Sequence, residues 1–217
     1  MLAMRLLLGA IALAVIAACG GGGATIAPAN VPSPTAIPPS TVTPVATEAF
    51  SAIVAAPSQT PVPFAILVLA ASAFSEGEPI PLRYSCDGED ISPSLAWSGV
   101  PQGTETWVVI MDDPDAPRGT WDHWVVFNIP ADVRGLEEAQ PDTAQLPNGG
   151  VHGKNSWGKA KYGGPCPPRG PAHNYRFFLY AVDINLELPA GASKKDVLQA
   201  VDGHIVGESI LKGTFAR

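Results

Sequence analysis

Charge is scarce in this chain of 217 residues: Asp, Glu, Lys and Arg together make up 15% of it. The scarcity is sharpest near the start. From Gly20 to Ser75 the only charged residue is Glu48, and nine prolines interrupt a background of Ala, Thr, Ser and Val. Proline lacks the amide donor and fixes its own backbone angle, so no helix or strand is expected across that stretch. No apolar run is long enough to span a bilayer; Leu6 to Val15 falls well short. There is no Gly-x-Ser-x-Gly elbow, so nucleophilic serine chemistry has no motif. Ser156 lies near His152 in sequence but without an identifiable third member. The histidines show neither His-x-His nor His-x-x-x-His spacing, so no metal is expected, although two histidines and a carboxylate are the rival use of the same residues. No internal repeat is present.

What is there begins with a short leader. Arg5 precedes the apolar run, and Ile16-Ala17-Ala18-Cys19 follows it. Small residues before a cysteine form the cleavage pattern of a bacterial lipoprotein signal, so residues 1–18 are expected to be removed, leaving Cys19 lipidated. Each buried acyl methylene would contribute ~0.8 kcal/mol to anchoring. Residues 19–63 then read as the lipidated cysteine and a Pro/Thr/Ala-rich flexible tether. As a random coil the tether would reach ~40 Å, and as extended polyproline about 130 Å. The expected location is extracytoplasmic, lipid-anchored to a bacterial membrane.

Residues 64–217 suit one domain with a real core. They hold 12 basic and 19 acidic residues, which argues against nucleic acid as a partner. From Thr143 to Val182 there is no Asp or Glu, while Lys154, Lys159, Lys161, Arg169 and Arg176 fall there. A locally basic wall in an acidic protein can attract an anion. Once Cys19 carries lipid, Cys86 and Cys166 remain. An even pair in an exported domain suggests a disulfide, with two buried thiols as the alternative.

Short runs rich in branched and aromatic residues recur at Ala65–Leu69, Ser94–Trp97, Thr106–Met111, Trp124–Ile129 and Arg176–Val182. Turn residues separate them, which predicts a mainly β fold of short strands, a sandwich or barrel. One helix signal stands out: Ser193 and Asp196 form a capping box opening Val197 to Val201, and Gly203 ends it. A second helical turn is expected from Ile205 to Leu211. His204 reads as decoration at the helix C-terminus and His152 as a loop residue.

Two segments about fifty residues apart carry the chemistry. The first is Asp112-Asp113-Pro114-Asp115-Ala116-Pro117, followed by Trp121-Asp122-His123-Trp124. The second runs from Tyr162 through Gly163, Gly164, Pro165, Cys166, Pro167 and Pro168 to His173-Asn174-Tyr175. Each sets carboxylates or a histidine beside rigid proline turns and next to an apolar strand. Two imidazoles can donate N–H bonds to an oxyanion, and a nearby carboxylate can fix a tautomer. Amides around Gly163 and Gly164 can add donors where glycine admits close approach.

Together these segments resemble the signatures of the phosphatidylethanolamine-binding protein family, also called Raf kinase inhibitor-like proteins: Asp-Pro-Asp-x-Pro before a histidine and aromatic strand, then Gly-x-x-Pro-Pro-x-Gly before His-x-Tyr. The match spans about Phe74 to Phe215. It implies an antiparallel β-sandwich with a short C-terminal helix, and a shallow pocket for phosphate or a phosphoethanolamine headgroup. By position the pocket would comprise Asp113, Trp121, His123, Gly164, Pro167, Pro168, His173 and Tyr175, with Asp115 supporting the turn. The chain departs from the family at Asn174, where the family usually has arginine; Arg176 is the candidate substitute brace.

The expected function is a non-catalytic, membrane-tethered binding module without a cofactor, taking a small anionic or zwitterionic phosphate ligand. The resemblance also carries an alternative, a protein-interaction module that inhibits a kinase or protease. Hydrolysis of small phosphate esters is a third. A protein partner and a homodimer stay open.

Overall fold

A computed structural model of the chain describes residues 66–217. The expected signal, Cys19 and the tether lie outside the described residues, as do Phe64 and Ala65. Eight strands are described: β1 (Val68–Ala71), β2 (Leu95–Ser98), β3 (Thr106–Asp113), β4 (Trp121–Pro130), β5 (Gly135–Leu136), β6 (Val151–His152), β7 (His173–Val182) and β8 (Ile205–Phe215), with helix α1 (Lys194–Ala200) before the last. They form a three-stranded sheet in the order β1-β2-β5 and a five-stranded sheet in the order β6-β4-β3-β7-β8. Every pairing between these strands is antiparallel. The mainly β architecture with one short helix is the one expected from the pattern of short apolar runs.

Strand β3 is buried along its whole length, because it is the middle strand of the larger sheet and both its faces are covered. Alternation sorts its side chains. Trp107, Val109 and Met111 join Trp124, Val126, Tyr175, Phe177 and Leu179 in the core between the sheets, against Leu69, Leu95 and Trp97. Val108 and Ile110 face the other way and join Val125, Phe127 and Leu186 beneath Val197 of α1 and its C-cap residue Val201. Full burial of one such side chain contributes roughly 1.5–3 kcal/mol. The capping box of α1 is complete: the Asp196 amide donates to Ser193 Oγ (3.2 Å) and the Ser193 amide to Asp196 Oδ2 (2.9 Å).

The second helical turn expected from Ile205 to Leu211 does not form. That segment is strand β8, paired with β7 along its length. Gly203, at φ +80°, reverses the chain after α1, and branched Ile205, Val206 and Ile210 favour the pleated conformation. The open edge of β7 supplies the hydrogen bonds that a lone helical turn would lack. His204 then meets Asp183 through Nδ1 at 2.9 Å.

His152 is no loop residue. It sits on β6, 1% exposed, where Nε2 accepts the Trp124 indole N–H (3.0 Å) and Nδ1 donates to the Thr143 carbonyl (2.7 Å). Both partners demand the neutral Nδ1–H tautomer, since a proton on Nε2 would face the Trp124 N–H. Burial accordingly pushes its pKa down. The unfolded chain takes up this proton near the ordinary histidine value, about 6.5, before the folded protein does. Stability is therefore full above about pH 6.5 and falls as pH drops through that value, which thermal melts across pH 8 to 5 will show. His152→Ala removes the acceptor of a buried N–H, leaves a void and costs about 2–4 kcal/mol in urea unfolding.

Candidate functional site

The Asp112-Asp113 pair is split by alternation at the end of β3. Asp112 turns toward α1, where Arg176 Nε donates to it at 2.8 Å and Lys194 reaches it as well. Asp113 turns the opposite way. Its Oδ2 accepts from His173 Nδ1 at 2.8 Å, and its Oδ1 accepts the Asp115 amide at 2.8 Å. Asp115 Oδ2 in turn accepts both the backbone and the side-chain N–H of Asn174, each at 2.8 Å. These bonds hold the Asp115 carboxyl below the usual carboxylate range. Asn174 thus braces the turn itself. Arg176 lies on the same strand face as Asn174 and is engaged by Asp112 instead.

His123 reaches the site through an irregularity. Met111 pairs with Trp124 and Asp112 pairs with Asp122, so His123 is one extra residue on β4, a β-bulge. Strict alternation would set His123 on the face of Val125 and Phe127, under the helix. The bulge returns it to the face of Asp113 and His173. Its ring packs edge-on against Tyr175 (5.2 Å) and Trp157 (5.1 Å). Its Nδ1 donates to the Gly163 carbonyl at 2.7 Å, leaving Nε2 without a hydrogen-bond partner among the described residues. Burial pushes this imidazole's pKa down, against the opposing pull of Gly163 and Asp113.

These groups open on a cleft of about 440 Å³. Of the eight residues expected there, Asp113, Trp121, His123, Pro167, Pro168 and His173 line it, and Gly164 and Tyr175 do not. Tyr175 stands behind His123, its hydroxyl buried beside Asp113. Burial and then the charge of Asp113 push the phenol well up, so it remains an O–H donor. The expected amide donors are already engaged: Gly163 N–H bonds the His123 carbonyl (3.0 Å) and Gly164 N–H bonds Asp90 Oδ1 (2.7 Å). Gly164 is needed for close approach, because a Cβ there would meet the Tyr84 carbonyl at 2.1 Å. Beside it the Cys86 amide donates to the Pro165 carbonyl, and the Cys86–Cys166 disulfide closes, with alpha carbons 5.4 Å apart.

The basic wall expected from residues 143–182 is not the cleft wall. Arg176 and Lys161 are held by Asp112 and Asp142. Lys159 and Lys161 line a smaller hollow of about 160 Å³ on the far side of Trp157. The cations on the main cleft are Arg118 and Arg217, and Trp157 completes its aromatic wall. Arg118 follows the first signature directly and could have been read with it. Arg217 carries no local signal, because only the pairing of β8 with β7 brings it there. Ser156 Oγ accepts the Asp122 amide, and both ring nitrogens of His152 are engaged by Trp124 and Thr143, so the two share no hydrogen bond.

The description "Phosphatidylethanolamine-binding protein" fits a family model that matches residues 70–216. The chain belongs to the phosphatidylethanolamine-binding protein family. It is 54% identical over 145 residues to a UPF0098 protein of Methanothermobacter thermautotrophicus, a span covering 67% of this chain and 95% of that one. It is 36% identical over 202 residues to a Mycobacterium tuberculosis protein that carries a lipoprotein name, LppC, covering 91% of this chain and 88% of the relative. Among solved structures it is similar to the Chlamydia trachomatis homologue CT736 of this family, with TM-score 0.65 and 40% identity over 70% of this chain and 99% of the other. It is also similar to Escherichia coli YbcL, described as a member of the mammalian family, with TM-score 0.66 and 32% identity over 70% and 98%. The family fold is in general a binding module.

Because Gly164 and the disulfide hold one loop against another, both are stability determinants. Gly164→Ala forces the two backbones apart and costs about 1–3 kcal/mol. Replacing both Cys86 and Cys166 by Ser costs about 2–5 kcal/mol. Urea unfolding of the variants measures both.

Proposed function

We propose that this member of the family is an extracytoplasmic binding module, tethered through lipid on Cys19, whose cleft takes a small phosphate-bearing anion or zwitterion. One observation carries the reading. Two imidazoles on one cleft each have Nδ1 engaged by the protein, by Gly163 and by Asp113, with Nε2 of His123 uncommitted and Asp113 already partnered by His173. A phosphate oxygen fits against that edge, and the carboxylate no longer repels it as an isolated charge would. Pro167, Pro168, Trp121 and the disulfide make a stiff rim, which limits the entropy lost on binding. The lipid tether is supported by the LppC relative, whose similarity extends over 91% of the chain and so well beyond the folded domain toward Cys19.

The tautomers determine the pH dependence. With Nδ1–H given to Gly163, neutral His123 presents a lone pair at Nε2, and an oxyanion needs a proton there. Either the ring takes it up, against the burial that lowers its pKa, or the phosphate keeps its own, with a second pKa near 6. Both routes bind one proton with the ligand. The affinity for phosphoethanolamine is therefore expected to strengthen as pH falls from about 7.5 to about 6.

An NMR titration with phosphoethanolamine, following the imidazole signals, tests the reading. Saturating shifts at His123 and His173, lost in the double alanine variant, are the expected result. Unmoved signals at millimolar ligand would remove the cleft from consideration as a phosphate site and leave the protein-interaction alternative.

A further inference from the structure

The charges around the cleft are not balanced, and the imbalance bears on what the phosphate is attached to. Asp113 is the one carboxylate lining the cleft among the described residues, and both its oxygens are occupied, by His173 Nδ1 and the Asp115 amide, each at 2.8 Å. The nearby acids are occupied as well. Asp115 takes two bonds from Asn174, and Asp87 takes Arg217 Nε at 2.8 Å and Nη2 at 2.6 Å. An ammonium entering the cleft would therefore meet a carboxylate whose charge is already shared with donors on both oxygens.

The positive side is different. Arg118 lines the cleft, is exposed, and has no ion pair among the described residues, so its five guanidinium donors are unengaged. Arg217 lines it as well, with Nη1 directed no further than Cys166 Sγ at 3.7 Å. A chain of net charge −7 thus leaves one unpaired guanidinium, that of Arg118, on the cleft, beside an Arg217 whose charge is matched by Asp87. The cleft, at about 440 Å³, is of the size that encloses a small molecule rather than a bare ion. Arginine is also the side chain best shaped to meet a planar carboxylate with paired hydrogen bonds.

Building on the reading of the cleft as a phosphate site, we infer that its ligand is a phosphomonoester carrying a second anionic group, in class a phosphorylated carboxylic acid. The phosphate lies at the histidines and the second anion at Arg118. Phosphoethanolamine and phosphoglycolate test this directly, being close in size and differing in an ammonium against a carboxylate.

The full chain is titrated with inorganic phosphate, phosphoethanolamine and phosphoglycolate at low ionic strength, following the His123 and His173 signals. Phosphoglycolate is expected to bind about fivefold tighter than phosphoethanolamine, the scale of one partly exposed ion pair. The ratio is expected to shrink with added salt, as a rim charge requires. It falls to about one in Arg118→Gln and is partly restored in Arg118→Lys. Equal or reversed affinities in the unaltered protein, with the histidine signals still moving, would overturn the inference and leave the phosphate site standing. Reversal would assign the ammonium to the indole faces of Trp121 and Trp157. A preference that survives Arg118→Gln overturns the assignment to Arg118. If none of the three probes moves the histidine signals, the phosphate reading fails along with it.

Discussion

Two adjacent carboxylates at the end of one fully buried strand organise this protein. Strand β3 is covered on both faces, so neither Asp112 nor Asp113 can turn to bulk water, and each must find its charge partner inside the fold. The period of the strand sends them to opposite layers. Asp112 gathers Arg176 from β7 and Lys194 from α1, tying the helix to the sheet. Asp113 gathers His173 from the start of β7 and the turn amide of Asp115. One short piece of sequence therefore positions the helix on one side and the site on the other.

The site is also a product of departures from regular structure. A single extra residue in β4 returns His123 to the cleft, and reciprocal bonds between His123 and Gly163 lock the bulge to the proline loop. That loop is in turn fastened to the segment before β2 by the Cys86–Cys166 bridge, the Gly164–Asp90 bond and the close backbone approach at Tyr84. The polar edge of the cleft is held from several directions, so little reorganisation is required when a ligand arrives. This stiffness suits recognition.

The electrostatic design runs against the bulk composition. The acids dominate the chain, yet those near the cleft are each matched to a neighbour, and the groups left uncommitted are an imidazole edge and a guanidinium. Net charge says little about a site when the local partners decide which charges remain available. The basic residues between 143 and 182 do not supply the cations of the cleft. Arg176 and Lys161 there are neutralised by acids from other parts of the chain, and the cleft's own cations come from residues 118 and 217.

Much was legible in the residues themselves. Alternating apolar runs predicted the strands, the Ser193–Asp196 pair predicted the helix start, and the two signatures brought Asp113, His123, His173 and the prolines to one place. These are local properties: period, capping and turn chemistry act over a few residues. What failed was non-local. Ile205–Leu211 has no period that distinguishes a turn of helix from a strand, and only the vacant edge of β7 decided for the strand. His152 looks like a loop residue until Trp124 and Thr143 close on it. The sequence alone determined which chemical groups are available and roughly in what order. The tertiary structure decided which nitrogen of each histidine is free, which face His123 takes, and which arginines reach the cleft, because each of these depends on partners dozens of residues away.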